Sequence, residues 1–327
     1  MYYIYKMENL IALKEIFLSD WTSMGYTDIK YLTRGGFGYI YTAFDPQKTK
    51  VVLKVSFAKE DGASSIAFYR KLNERITASP EFSKYFVVST FFDSPTREDL
   101  QYEESIYIHQ NLKSWLRECT WKDNRDLIFI CNQLIKGLGV CDQLGIFFTD
   151  FKFSNILIDI QKNGDFQIKF IDFYDSEFDC HPVCKTTLAD GYHYTYFTKF
   201  TKKHDRTEHG RLFTLCLLDI LDICFPGCCR SISSFQQNGS FLSGFMELME
   251  KRPSFFTNRE IGTMERKMLT YIPVVYHPLV FTATDILKSY NRPSSPPFDM
   301  ETIYSIFYDH VKKPKTKTVR KKKVRKH

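Results

Sequence analysis

The alternation of hydrophobic and polar positions changes character part-way along the chain. Up to about residue 110, apolar residues recur in short runs with a period near two. Tyr39–Phe44, Val51–Val55, Phe86–Phe92 and Ser105–Ile108 read as strands. Asp45-Pro46 marks a turn between the first two. Two stretches have helical spacing instead: residues 8–18, where Leu10, Leu13 and Phe17 share a face, and residues 64–76. His109-Gln110-Asn111 breaks the pattern, and the helical period dominates afterwards. Leu112–Leu116 reads as a helix, Leu127, Cys131, Leu134 and Leu138 fall on one helical face, and Leu212–Ile223 and Asp299–His310 predict further helices, the last after the break RPSSPP. One strand pair interrupts this part. Asn155–Ile158 and Phe166–Ile171 flank Asn163-Gly164, a dipeptide that tolerates the positive φ of a tight turn. No internal repeat is visible. The pattern predicts an α+β fold, with a small strand-rich part followed by a larger helical part and a break near Gln110.

Composition alters this picture at a few points. With 327 residues, 30 Phe and 20 Tyr, the chain can bury a large core. The net charge of +7 is unevenly placed. The tail KKPKTKTVRKKKVRKH, from Lys312 to His327, has ten Lys/Arg; removing them leaves 35 against 38 Asp/Glu, a net charge of −3 for the rest. Such a run repels itself and buries nothing, so disorder is expected over 312–327. It could be a nuclear-import signal or a contact for nucleic acid or acidic proteins, and equally a solubilising end. The start, MYYIYKMENL, lacks a basic region followed by an apolar one, so no secretory signal is expected. The longest apolar run, Leu212–Cys229, carries Asp219 and Asp222 and reads as a core helix; no membrane association is expected. Nine scattered Cys, an odd number, argue for a reducing compartment, hence cytoplasm or nucleus. Cys180-His181, Cys184 and Cys228-Cys229 fit no standard zinc spacing, and free thiols are the expected reading.

The stretch Thr149–Asp175 sets Asp150, Lys152, Asn155 and Asp172 among Phe, Ile and Leu. If the Asn163-Gly164 hairpin is tight and unbulged, Asn155 and Asp172 are cross-strand partners, with Cβ atoms roughly 4.5–5.5 Å apart. An amide oxygen and a carboxylate at one ribbon end suit Mg²⁺, which takes few protein ligands beside phosphates. Asp150 could accept a proton and Lys152 could neutralise moving phosphoryl charge. A solvated strand end is the alternative. Upstream, Gly35-Gly36-Phe37-Gly38 lies between two strands, where backbone N–H groups can approach phosphates, and Lys54 on the next strand could reach back to them. A hairpin that simply needs glycine is the alternative there.

In chain order these pieces resemble the eukaryotic protein kinase family. The resemblance spans residues 27–311, with 1–26 as an extension, a strand-rich lobe to about residue 110, a helical lobe after it, and 312–327 as the tail. The glycine loop matches from Thr33, in place of the first glycine, through Gly35, Gly36, Phe37 and Gly38 to Ile40. Lys54 matches the strand lysine, Asp150-Phe151-Lys152-Phe153-Ser154-Asn155 the catalytic loop, Asp172-Phe173-Tyr174 the metal-binding triplet, and Arg292-Pro293-Ser294 the arginine motif of the last helices. The resemblance implies a two-lobed fold and a serine/threonine kinase using ATP and Mg²⁺ on protein substrates. Thr33, Gly35, Gly36, Phe37, Gly38, Ile40 and Lys54 would bind nucleotide. Asp150 would be the base with Lys152 beside it, and Asn155 and Asp172 would hold the metal. A pseudokinase scaffold and a small-molecule phosphotransferase are the alternatives. The chain departs from the family at Phe148-Thr149, where His-Arg is usual, and at Tyr174, where glycine is usual. It also lacks an A-P-E motif between Asp190 and Phe200 and has Arg211 near the place of an acidic residue. The helix glutamate that pairs with the strand lysine is either Glu74 or missing, with Ser65 in its place. In style the divergence and composition are similar to kinases of large DNA viruses, which would place the protein in a host cell or virion.

Overall fold

The computed structural model describes residues 14–34, 38–57, 62–118, 126–144, 146–147, 150–161, 165–171, 174–175, 184–187, 193–196, 207–226, 228, 257–290 and 299–312. They belong to two compact units, Met1–Asn111 with Asn155–Ile171, and Leu112–Ser154 with Asp172–His327. The first is strand-rich and the second largely helical, so the fold is mixed α+β as its hydrophobic pattern predicts.

In the first unit, helix α1 (residues 14–23) leads into β1 (Thr27–Arg34), β2 (Gly38–Phe44) and β3 (Lys50–Phe57). Helix α2 (Gly62–Thr77) and a short α3 (Pro80–Ser83) follow, then β4 (Thr90–Asp93) and β5 (Leu100–Ile106). The five strands form an antiparallel sheet in the order β1-β2-β3-β5-β4. Its alternation sorts side chains by face. Tyr41, Ala43, Val51, Leu53, Val55, Leu100 and Tyr102 share one face and are buried. Phe17 and Trp21, one helical turn apart on α1, cover it. Trp21 sits 5.4 Å from the Tyr41 ring and 5.2 Å from the Tyr102 ring. Residues 14–26, read from the sequence as an extension, thus pack on this unit, and Phe17, Trp21 and Tyr26 join its core. The turn out of α1 needs Gly25, whose φ is +91°.

Asp20 fastens α1 from the other side. It is buried, and Thr96 Oγ1 and Tyr102 Oη each donate to its carboxylate at 2.7 Å, joined by Ser94 Oγ. Burial pushes this carboxyl up, but the three hydroxyls together hold it below its ordinary value. Residues 86–92 do not form one strand as the pattern suggested. Phe86 bridges in parallel to Phe170, and only Thr90–Asp93 joins the sheet.

A second sheet completes the unit: β6 (Gln110–Asn111), β9 (Ile156–Ile160) and β10 (Phe166–Phe170) in the order β10-β9-β6. In the helical unit, α4 (Leu112–Glu118) and α5 (Asp126–Leu144) precede short strands β7 (Ile146–Phe147) and β8 (Asp150–Lys152). Strands β11 (Tyr174–Asp175), β12 (Cys184–Thr187) and β13 (His193–Tyr196) follow. Then come α6 (Thr207–Cys224), α7 (Asn258–Tyr271), α8 (His277–Tyr290) and α9 (Met300–Lys312). Leu127, Cys131, Leu134 and Leu138 on α5 are all buried, as their spacing predicts. By length and composition α5 could cross a membrane, yet eleven of its residues are buried, which marks a core helix. Cys131, Cys141, Cys216 and Cys228 are buried free thiols, and burial pushes the Cys131 and Cys141 thiols well up. Helix α7 opens on a capping box between Thr257 and Glu260. Asp285 on α8 ties three helices together: His310 Nε2 of α9 donates to it at 2.8 Å, and Lys288 bridges it to Glu265 of α7.

Two outcomes are expected. Trp21→Ala should cost about 3–5 kcal/mol in urea unfolding, by cavity formation in the aromatic cluster. Trp21→Phe should cost far less, because it also removes an indole N–H that has no partner. Asp285 is lowered to about 2, chiefly by the His310 hydrogen bond working against burial, with Lys288 adding. Its stabilisation is therefore present above its unfolded pKa of about 3.9 and lost as pH falls through about 2. Asp285→Asn should lower the thermal midpoint at pH 7, with the gap to wild type narrowing between about pH 4 and pH 2.

Candidate active site

The face of the first sheet opposite α1 carries the upstream candidates. Register places Thr33 opposite Ile40, Ile40 opposite Lys54, and Lys54 opposite Glu103. Directly opposed residues point to the same side. Thr33, Ile40, Lys54 and Glu103 therefore form one row across β1, β2, β3 and β5. The row exists because Val51, Leu53 and Val55 must bury themselves against α1, which forces the intervening Val52 and Lys54 to the other side. Thr33 has ordinary strand geometry, so a threonine in place of glycine carries no backbone penalty there. Gly38 opens β2 opposite Ser56. Gly35, Gly36 and Phe37 lie outside the described residues.

Lys54 is half-buried, and its Nζ lies 3.4 Å from Glu103 Oε2. Glu74, the helix residue that the sequence offered as its partner, is exposed on α2. The side chain of Ser65, the other candidate for that place, is outside the described set. Nothing in the sequence analysis pointed to Glu103. The available signal was Leu100-Gln101-Tyr102, whose alternation, continued, sets position 103 on the lysine's face.

The downstream candidates sit where β8 runs into a 3-10 turn, Phe153–Asn155. Positions 150 and 152 fall on the same side of the strand, with Phe151 between them. Strand β8 pairs in parallel with β12, Lys185 opposite Asp150 and Thr187 opposite Lys152, and β12 pairs with β13. Lys152 is half-buried and Asn155 buried. The side chain of Asp150, and all of Phe148, Thr149, Asp172 and Phe173, are outside the described residues, as are Arg292, Pro293 and Ser294. Tyr174 lies in β11, opposite Phe147 of β7, with no positive φ. Extended backbone accepts tyrosine as readily as glycine, so this departure leaves no strain. Among the described residues no group of three His, Cys, Asp or Glu could hold a metal ion. The expected Mg²⁺ ligands are an amide and one carboxylate, a pair with oxygen donors suited to a hard cation.

One expectation is corrected. Asn155 and Asp172 are not cross-strand partners. Ile160 pairs with Phe166 and Ile156 with Phe170, and Ile171 N–H donates to the Asn155 carbonyl at 3.0 Å. Counting from Asn163-Gly164 assumed a two-residue turn. The ladder instead runs on to a hydrogen bond from Gln161 N–H to the Asp165 carbonyl, one residue off the register that a two-residue turn requires. The register is shifted by one, and Asn155 faces Ile171. Asn163-Gly164 itself is outside the described residues.

Residues 26–187 match the family model of the protein kinase domain. That span includes the glycine loop, Lys54, the catalytic-loop motif and the Asp172 triplet, and it implies an ATP-dependent phosphotransferase acting on protein substrates. The comparison with curated proteins found no match.

The corrected register has a direct readout. Cross-strand NOEs should link Ile158 to Ile168 and Leu157 to Lys169. A link between Ile158 and Lys169 would instead restore the two-residue turn.

Proposed function

We propose that this protein kinase domain is an active serine/threonine kinase that transfers the ATP γ-phosphoryl group to protein hydroxyls. The observation that supports it most is the row of Thr33, Ile40 and Lys54 on one face of the sheet. A cation at that position can meet nucleotide phosphates, while Ile40 offers apolar contact to a base or ribose. Lys152, two residues past Asp150, favours a hydroxyl on a serine or threonine as acceptor, by the family resemblance.

Each residue then has a task. Asp150 orients the acceptor hydroxyl and takes its proton. The acceptor oxygen forms a bond to the γ-phosphorus as the bond to the bridging oxygen breaks, and ADP leaves with the electron pair. Lys152 and Lys54 stabilise phosphoryl charge as it moves. Asn155 and Asp172 would hold Mg²⁺, which screens the phosphates when bound. The chain's contribution is positioning and charge stabilisation.

A pseudokinase would keep the same sheet yet transfer nothing. The doubtful helix glutamate is the sequence feature that most favours it, with Tyr174 beside it; Tyr174 lies in extended backbone without a positive φ, which supports the active reading. The test is incorporation of radiolabel from ATP into a basic and an acidic protein substrate, followed by phosphoamino-acid analysis. Wild type should label serine and threonine. Asp150→Ala should reduce labelling by about 10²- to 10⁴-fold, and chelation of Mg²⁺ should abolish it. Equal labelling by wild type and Asp150→Ala would overturn the proposal. Phosphate appearing on a small metabolite alone would assign the fold to a different substrate class.

A further inference from the structure

One partner of Lys54 comes from an unexpected element. In protein kinases the strand lysine is paired with a glutamate on the helix after it, and movement of that helix controls the pair. Here α2 presents no such glutamate to the sheet. Asn73 is half-buried and its Nδ2 donates to the Ser89 carbonyl at 2.6 Å. Arg70 donates to the Phe91 carbonyl at 3.3 Å. Glu74 follows Asn73, about 100° further round the helix, and is exposed. The contacts that dock α2 on the strand thus turn Glu74 outward.

Glu103 stands directly across the ladder from Lys54, on the neighbouring strand of the same sheet. Its two oxygens have separate partners. Ser89 Oγ donates to Oε1 at 2.7 Å, and Lys54 Nζ approaches Oε2 at 3.4 Å. Both charged side chains are about three-quarters shielded from solvent. Such a pair is screened less than an exposed one and fixes the ammonium more firmly. Ser89 also removes rotational freedom from the carboxylate, so the acid arrives oriented.

We propose that Glu103 is a positioning residue for phosphoryl transfer, holding Lys54 from within the sheet in the role a helix glutamate has elsewhere. The inference rests on the kinase reading above. Its consequence is regulatory: the lysine is set by the β3–β5 register, so competence does not wait on a shift of α2. Ser89 sets the carboxylate, and Lys54 acts on the phosphates.

A mutant cycle read by steady-state kinetics and by binding of a fluorescent ATP analogue tests this. Glu103→Gln should lower kcat about 10- to 100-fold, the scale of a small misplacement, with KM for ATP and the thermal midpoint near wild type. Ser89→Ala should fall in the same direction by less. Glu74→Gln should leave kcat unchanged. Lys54→Met with Glu103→Gln should be no worse than Lys54→Met alone, since both remove one unit. Full activity in Glu103→Gln, additive effects in the double variant, or a kcat loss in Glu74→Gln would overturn the proposal while leaving the kinase reading standing. A loss of kcat matched by a loss of thermal stability would make Glu103 structural only. A wild type that neither binds the analogue nor transfers phosphate would overturn the kinase reading itself, and this inference with it.

Discussion

The sorting of one sheet into two faces is the constraint on which the first unit depends. Val51, Leu53 and Val55 cannot remain in water beside Phe17 and Trp21 at hand, and burying them costs nothing in backbone hydrogen bonds because the antiparallel ladder supplies those. Once that face is fixed, period-two geometry fixes the other. A slip of one residue in β3 would drive Lys54 under α1 and expose Leu53. The aromatic cluster and the reactive row are therefore one structural decision seen from two sides. Helix α1 matters to the row because it fixes which face of β3 is buried.

That coupling explains why some of the protein was legible in its sequence and some was not. The helices around Leu127–Leu138 and Asp299–His310 emerged because one face of each is largely apolar. The start of β5 was missed because Glu104 falls on the face of Leu100 and Tyr102 and interrupts an otherwise regular alternation. Both acids are tolerated there for tertiary reasons: Glu103 meets Lys54 and Ser89, and Glu104 accepts from Tyr26 Oη. Local pattern cannot report partners so far away in the chain. The capping box Thr257-x-x-Glu260 was readable and would have located α7. The span Phe86–Phe92 was over-read because an apolar run can serve two sheets, and here Phe86 leaves to bridge Phe170.

The site shows the same division. Thr33 and Ile40 came from the family resemblance and Lys54 also from its type and strand position, and the ladder brings the three into one row. The link from Asn155 to Asp172 rested on counting from a turn, and the observed strand register is offset from that count by one residue. Turn dipeptides say that a chain reverses, and the hydrogen-bond ladder says where. Counting is safe over Leu53–Val55, where burial pins the register, and weak at a hairpin tip, where nothing does.

The buried sulfurs of α5 and α6 give the helical unit a chemical clock. Cys131, Cys141 and Cys216 are enclosed and held protonated by their apolar surroundings, whereas Cys224 is partly accessible. A maleimide or disulfide reagent would consume Cys224 promptly and meet the other three only when their helices separate. The lag between those two reactions measures how often the helical unit breathes open, with no residue substituted.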